Sequence, residues 1–234
     1  MTLRGLWTAV VMAVSTAVCA VAGAACTSVK PGSDATMIAG RIWSRVNLWA
    51  CGARVNYEDL DIASRHQPCI YVANHQSNVD IWALIAVLPK RTRFVAKQSL
   101  FKVPLLGWAL RVSDFIPIDR ANRTGAIRSL QQAAQKIRGG RPVVLFAEGT
   151  RSAGDTLAPF KKGPFHLALE AGVPIVPIAI RGSGAVFPPH GLAVRPGPVR
   201  VRFCEPIDVA PYAPRNVQGL LDAVHQVVAA ELTT

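Results

Sequence analysis

Carboxylates are scarce in this chain: 14 acidic residues stand against 26 lysines and arginines over 234 positions, leaving a formal charge of +12. Such an imbalance points to an anionic partner, whether nucleic acid, anionic lipid or a phosphorylated substrate. Nucleic acid is the weakest of the three, because no zinc-finger, aromatic RNA-binding or basic-zipper pattern is present and there are only 3 tyrosines. Also missing are HExxH or another metal-ligand spacing, a GxSxG elbow, a Walker loop and a GxGxxG fingerprint. No metal is therefore expected, and a triad hydrolase, a P-loop nucleotidase and a dinucleotide oxidoreductase are disfavoured. The 5 cysteines (Cys19, Cys26, Cys51, Cys69, Cys204) are scattered and odd in number. They suggest neither a disulfide framework nor a CxxC site, and fit a reducing compartment.

Apolar residues, by contrast, make up 50% of the chain, and the mean hydropathy is +0.27. After Arg4, the stretch from Gly5 to Val29 carries no charge. About 20 apolar residues suffice to cross a bilayer core as a helix, so this stretch reads as a membrane anchor. A cleaved signal peptide competes with that reading, given the small residues from Ala20 to Ala25 and Cys26 just beyond them. Pro31-Gly32-Ser33-Asp34 separates this stretch from a second segment, Met37 to Trp49, where apolar residues and arginines recur at helical spacing. Trp43 and Trp49 suit a membrane interface, and Arg41 and Arg45 suit anionic headgroups. A helix packed on the domain explains the pattern equally well. Residues 1–55 are thus expected to form a membrane-anchoring helical segment and residues 56–234 an α/β domain, with Asn56 to Pro68 a polar approach to it.

Beyond Pro68, strands and helices alternate. Strands are expected at Cys69–Ala73, Arg93–Ala96, Phe115–Ile118, Pro142–Phe146, Ile175–Ile180 and Val199–Phe203. Helices are expected at Val79–Leu88, near Val103–Arg111, and at Thr124–Arg138, Gly163–Ala171 and Val217–Leu232. Ile127, Leu130, Ala134 and Ile137 recur at helical spacing, and Gly139-Gly140 supplies the stop. The alternation implies an α/β fold: a mostly parallel central sheet flanked by helices, with the N-terminal membrane-associated segment attached. In such sheets ligands gather beyond the carboxyl ends of the strands, where the polar motifs of this chain fall.

The first of these motifs is Asn74-His75-Gln76-Ser77-Asn78-Val79-Asp80, between the apolar runs Cys69–Ala73 and Ile81–Leu88. His75 can act as a base near neutral pH, and Asp80 can orient it. Residues five apart on one continuous helix diverge by roughly 140° at 3.6 residues per turn. The two meet only if the chain hooks from a strand into a helix, with Ser77 or Asn78 as its cap and Asp80 in its first turn.

Phe115-Ile116-Pro117-Ile118-Asp119-Arg120 ends a strand on a charged pair, and the Arg120 guanidinium matches phosphate oxygens, although a surface salt bridge gives the same pattern. Val143 to Ser152 delivers Glu148, Gly149, Thr150 and Arg151 to a strand end, where Gly149 permits a tight turn. Lys161-Lys162-Gly163 then opens a helix whose N-terminus welcomes an anion, and Lys97 either joins this cationic rim or is simply solvated. Two prolines in Val173-Pro174-Ile175-Val176-Pro177-Ile178 favour an edge or site-bordering strand over a central one. His66, His166, His190 and His225 have no partnered context.

Four blocks in this order, Asn74–Asp80, Phe115–Arg120, Phe146–Ser152 and Val173–Ile178, resemble the glycerolipid acyltransferase family, specifically its bacterial 1-acylglycerol-3-phosphate O-acyltransferases. The likeness spans roughly Pro68 to Glu205, and NHxxxxD in company with EGTRS is a specific pairing. It implies His75 as general base, Asp80 as its partner, and Arg120, Glu148, Gly149, Thr150 and Arg151 shaping the site for a phosphorylated acceptor. It further implies an acyl thioester, carried by coenzyme A or acyl carrier protein, as co-substrate, with no tightly bound cofactor. Lysophosphatidate is the implied acceptor and phosphatidate the product. Another lysolipid, such as a lyso-ornithine lipid, is the near alternative, and an exported basic lipid-binding protein without catalysis the distant one. An anionic membrane surface is the expected partner, at the inner membrane of the cell with the site facing the cytoplasm. Two positions depart from the family pattern. Ala147 replaces the usual proline before Glu148 and is expected to loosen the turn, and Asp114 stands where a glycine is common, setting a negative charge near the phosphate site.

Overall fold

The structure, a computed structural model, describes residues 2–29, 35–119, 123–152, 156–212 and 216–233. The break at Pro31–Asp34 and the phosphate ligand expected at Arg120 lie outside the described residues. In chain order the elements are α1 (Leu3–Val29), α2 (Ala35–Cys51), β1 (Ala53–Glu58), α3 (Ile62–Arg65), β2 (Ile70–Ala73), α4 (Asn78–Val87), β3 (Arg93–Lys97) and α5 (Leu106–Val112). There follow β4 (Ile116–Ile118), α6 (Arg123–Arg138), β5 (Val143–Phe146), α7 (Gly163–Ala171), β6 (Ile175–Arg181), α8 (Ser183–Val186), β7 (Gly197–Phe203) and α9 (Val217–Thr233). Between β3 and α5 the chain forms a strap with a 3-10 turn at Gln98–Lys102.

The strands pair in the order β1-β7-β6-β2-β5-β3-β4. Five of them, β6, β2, β5, β3 and β4, run in one direction; β7 is antiparallel to β6 and carries β1 parallel beside it. Parallel neighbours need crossovers, and the helices that supply them cover both faces of the sheet. Successive residues of β2 therefore enter different cores. Tyr71 and Ala73 belong to the cluster with Trp82 and Leu84 of α4, whereas Ile70 and Val72 join Ile137 of α6, Phe165 of α7 and Val224 of α9. Burial on both faces is why β2 reads as an unbroken apolar run.

Two expectations are corrected here. The segment read as a polar approach begins with a strand: β1 lies parallel to β7 from Ala53↔Gly197 to Glu58↔Arg202, so the anticipated division at residues 55 and 56 falls inside it. As an edge strand it is at most partly buried, and its exposed Arg54 and Asn56 disguise it. β6 is central rather than an edge, between β7 and β2. Its prolines fit because pairing with β7 begins only at Ile178↔Phe203, one residue past Pro177. The Pro177 carbonyl accepts from Cys204 N at 2.9 Å and the Pro174 carbonyl from Ile70 N at 3.0 Å, so each proline contributes the one backbone group it has.

α1 and α2 pack side by side through small residues and polar side chains. A Cβ on Gly23 would come within 2.8 Å of Ala39 Cβ. Trp43 Nε1 donates to Thr16 Oγ1 at 2.9 Å, and Asn47 Nδ2 to Ser15 Oγ at 3.0 Å. Close backbones and interhelical hydrogen bonds of this kind hold helices together where apolar surface alone does not discriminate. The start of α1 is tied to the loop before β7: Thr2 N donates to Leu192 O at 3.1 Å, and Thr2 Oγ1 to Val194 O at 3.0 Å. α2 rests on α4, and its Arg41 is not turned over to headgroups, because its guanidinium donates to Leu88 O at 2.6 Å at the end of α4. Arg45 stays exposed. α1 is long and apolar enough to cross a membrane, with a window of mean hydropathy 2.1 that is only 17% buried.

Candidate active site

The chain leaves β2 at Ala73 and enters α4 at Asn78, and the residues between are fixed by hydrogen bonds on every side. Asn74 donates to Ile180 O and accepts from Ile180 N, both at 2.8 Å, so its amide imitates a backbone unit and continues the β2–β6 pairing as the main chain peels away. Ser77 caps α4: its Oγ accepts from Val79 N at 3.1 Å and donates to Phe187 O at 2.7 Å. Asp80 reaches back from the first turn of the helix. Its Oδ2 accepts from Gln76 N at 2.7 Å, Ser77 N at 2.9 Å and His75 Nδ1 at 2.8 Å. A carboxylate on the N-terminal turn is favoured by the helix dipole, and the two amides determine where it points.

Because a carboxylate can only accept, the proton of the pair sits on His75 Nδ1, and Nε2 keeps its lone pair. The imidazole is further held by Phe146 at the end of β5, stacked with ring centroids 4.0 Å apart and planes 18° from parallel. Asp80 is fully buried, whereas the His75 side chain keeps 11% of its surface accessible. That residual surface opens into a cavity of about 990 Å³, bounded by α1, α2, the strap, α5 and the carboxyl ends of β3, β4 and β5. A volume of this order accommodates a large apolar ligand.

The Glu148–Ser152 segment folds over the same hook. Glu148 is 3% exposed and lies along the backbone, accepting from His75 N at 2.6 Å and from Ala158 N at 3.2 Å. Its carboxylate thus braces the main chain of the histidine rather than lining the cavity. Gly149 adopts φ of +77°, a conformation suited to glycine, and allows the chain to turn across Lys161. Ser152 closes the segment by donating from N to His75 O at 2.9 Å. Gly149, Thr150 and Arg151 do line the cavity, and the Arg151 guanidinium donates to Asn78 Oδ1 at 3.2 Å.

Neither departure from the family pattern has the anticipated effect. Ala147 N donates to Ala73 O at 3.1 Å, a bond proline could not make, so the residue ties β5 to β2 immediately before the hook instead of loosening it. Asp114 has φ of +61°, which accounts for a glycine preference at that position and which aspartate tolerates. Its carboxylate is paired with Lys136 and Arg141, away from the cavity lining.

A family model described as Acyltransferase matches residues 54–181, more than half of the chain. The chain belongs to the Acyltransferase family. A 1-acyl-sn-glycerol-3-phosphate acyltransferase of Chlamydomonas reinhardtii is 36% identical over 193 residues, covering 80% of this chain and 57% of its own length. One from Limnanthes alba is 30% identical over 194 residues, covering 82% of this chain and 68% of its own. The chain spans from about half to two thirds of the length of the curated relatives it matches. The crystal structure of the 1-acyl-sn-glycerophosphate acyltransferase PlsC from Thermotoga maritima has the same fold, with a TM-score of 0.85 and 24% identity over 99% of this chain and 94% of that one.

Several residues at this candidate site have no role in the sequence pattern. Asn78, weighed as a cap, lines the cavity, as do Phe146 at the end of β5 and Thr16, Cys19 and Ala20 of the expected anchor. Lys97 and Lys102 join Arg151 on its rim. The Asn74 amide could have been suspected, since Asn beside a strand end can substitute for a backbone partner. Nothing local marks α1 as a wall.

Proposed function

We propose that this chain transfers an acyl group from an acyl thioester to the free hydroxyl of 1-acylglycerol 3-phosphate, forming phosphatidate, with His75 as general base. The observation that carries the reading is the His75–Asp80 pair, oriented at 2.8 Å and facing a cavity large enough for acyl chains. His75 Nε2 takes the proton as the hydroxyl oxygen bonds to the thioester carbon. The tetrahedral intermediate then expels the thiolate, which receives that proton from the imidazolium. Asp80 keeps the ring in place and stabilises its transient positive charge. No side chain need be acylated. Arg151, with Lys97 beside the cavity, binds the acceptor's phosphate, while Gly149 and Thr150 shape its surroundings. Fixing the phosphate presents the hydroxyl to the base, and such orientation lowers a barrier substantially.

The relatives named 1-acyl-sn-glycerol-3-phosphate acyltransferases support the choice of acceptor. Coenzyme A or acyl carrier protein carries the thioester, and no tightly bound cofactor is required by this chemistry. The apolar α1 and the net charge of +12 hold the enzyme on an anionic membrane, inferred to be the inner membrane with the site toward the cytoplasm. A lipid-binding protein without catalysis would leave the oriented histidine unexplained.

Purified protein in anionic vesicles, given lysophosphatidate and either acyl donor, should yield phosphatidate by mass spectrometry. Turnover of a lyso-ornithine lipid or another lysolipid, with none of lysophosphatidate, would overturn the acceptor assignment. Fractionation and N-terminal mass analysis test the membrane assignment: loss of residues through Ala25 from the mature protein would refute a retained anchor.

A further inference from the structure

A second cavity, of about 470 Å³, adjoins the first. Thr16, Trp43, Asn78, Ile81, Leu100 and Leu106 belong to the walls of both, so the two spaces adjoin along these residues. The smaller one is otherwise lined by Met12, Ala13 and Ala17 of α1, Trp82 of α4, and Val103 to Leu105 of the strap. Two of its lining residues on the strap, Val103 and Leu105, are large hydrophobic side chains open to solvent. A space with apolar walls, opening on an apolar surface beside a reactive cavity, fits an alkyl chain that comes from a bilayer.

Direct transfer brings two lipidic substrates to one site, and two adjoining cavities offer separate places for their chains. Resting on the acyltransferase reading above, we propose that the smaller cavity holds the acyl tail of the lysolipid acceptor, entering sideways between α1 and the strap, while the larger holds the donor's acyl chain. Arg151, taken as the acceptor's phosphate ligand, lines the larger cavity and is hydrogen-bonded at 3.2 Å to Asn78, which lines both. An acceptor held there has its tail next to the smaller space. The thioester carbon approaches His75 from the larger one, whose wall includes that histidine while the smaller one's does not.

Ala17 lines only the smaller cavity and Ala109 only the larger. Ala17→Phe should raise KM for long-tailed lysophosphatidate about tenfold or more, the equivalent of 1.4 kcal/mol, with short-tailed acceptors and the donor chain-length profile unchanged. Ala109→Phe should do the reverse, shifting donor preference to shorter chains. A changed donor profile in Ala17→Phe, or no change for either substrate in protein with the wild-type melting temperature, overturns the proposal. A binding measurement separates this from failure of the catalytic reading, since it needs no turnover. Lysophosphatidate brominated along its tail should quench the emission component that Trp82→Phe removes, and a brominated acyl thioester should not. Absence of that quenching, or its appearance with the donor, refutes the assignment even if transfer is observed.

Discussion

Two groups of carboxylates divide the work of this molecule. Asp80 and Glu148 are buried at the end of β2 and take most of their hydrogen bonds from backbone amides, so both are held by the main chain they organise. Glu58, Asp59 and Glu231 lie where β1, β7 and α9 meet, partly exposed, and pair with Arg200 and Arg202. Both groups join distant parts of the chain. The inner carboxylates fix the geometry of His75, and replacing them leaves buried partners unpaired. The outer ones fasten an edge in water, where solvent competes with every pair and the gain is small. What separates the two groups is the desolvation of their partners and, for Asp80, the cavity that its histidine partner faces.

The comparison is broken most severely at His75. His75→Ala should lower the transfer rate about 10²- to 10⁴-fold, measured as phosphatidate formation, with little change in melting temperature; unchanged transfer would end the dyad mechanism. Asp80→Asn should reduce both rate and melting temperature, because a side-chain amide must present a donor where the carboxylate now accepts only. Glu148→Gln tests whether that residue braces the backbone or binds substrate. Bracing predicts a drop in kcat of about tenfold, on the order of 1.4 kcal/mol, with the acceptor KM preserved, whereas a raised KM with kcat intact would return Glu148 to the substrate.

Smaller effects are expected away from the histidine. Ala147→Pro removes the bond to Ala73 O and should cost about 1 kcal/mol in chemical denaturation, with transfer retained. At the sheet edge, the hydrogen bond from Arg200 holds the Glu58 carboxyl below its ordinary range, partly offset by burial. A depressed pKa in the folded state stabilises the fold above the unfolded-state value, and this contribution is lost as pH falls through the folded-state value. Glu58→Gln should therefore lower the melting temperature slightly at neutral pH, with the gap to wild type closing in acid and transfer unaffected. A gap that persists in acid would mean that Glu58 contributes through packing rather than charge.

The elements most legible in the sequence were those whose signal is local. A polar heptapeptide follows β2 and runs into the first turn of α4, and the five-residue spacing of His75 and Asp80 requires a hook because no continuous helix brings them together. α6 followed from its periodicity and glycine stop. What was missed depends on partners far along the chain. β1 is hidden because its strand partner β7 lies beyond residue 196. The setting of Asp114 comes from Lys136 and Arg141, and that of Arg41 from the end of α4.

By itself, then, the sequence determined the α/β alternation and the strand-to-helix hook that sets Asp80 beside His75, both consequences of short-range geometry and hydrogen-bonding capacity. Only the tertiary structure decided that Glu148 faces backbone, that Ala147 gains a bond, and that a helix read as an anchor also walls the cavity. Those outcomes depend on which surfaces meet, and surfaces brought together from opposite ends of a chain leave no local pattern to read.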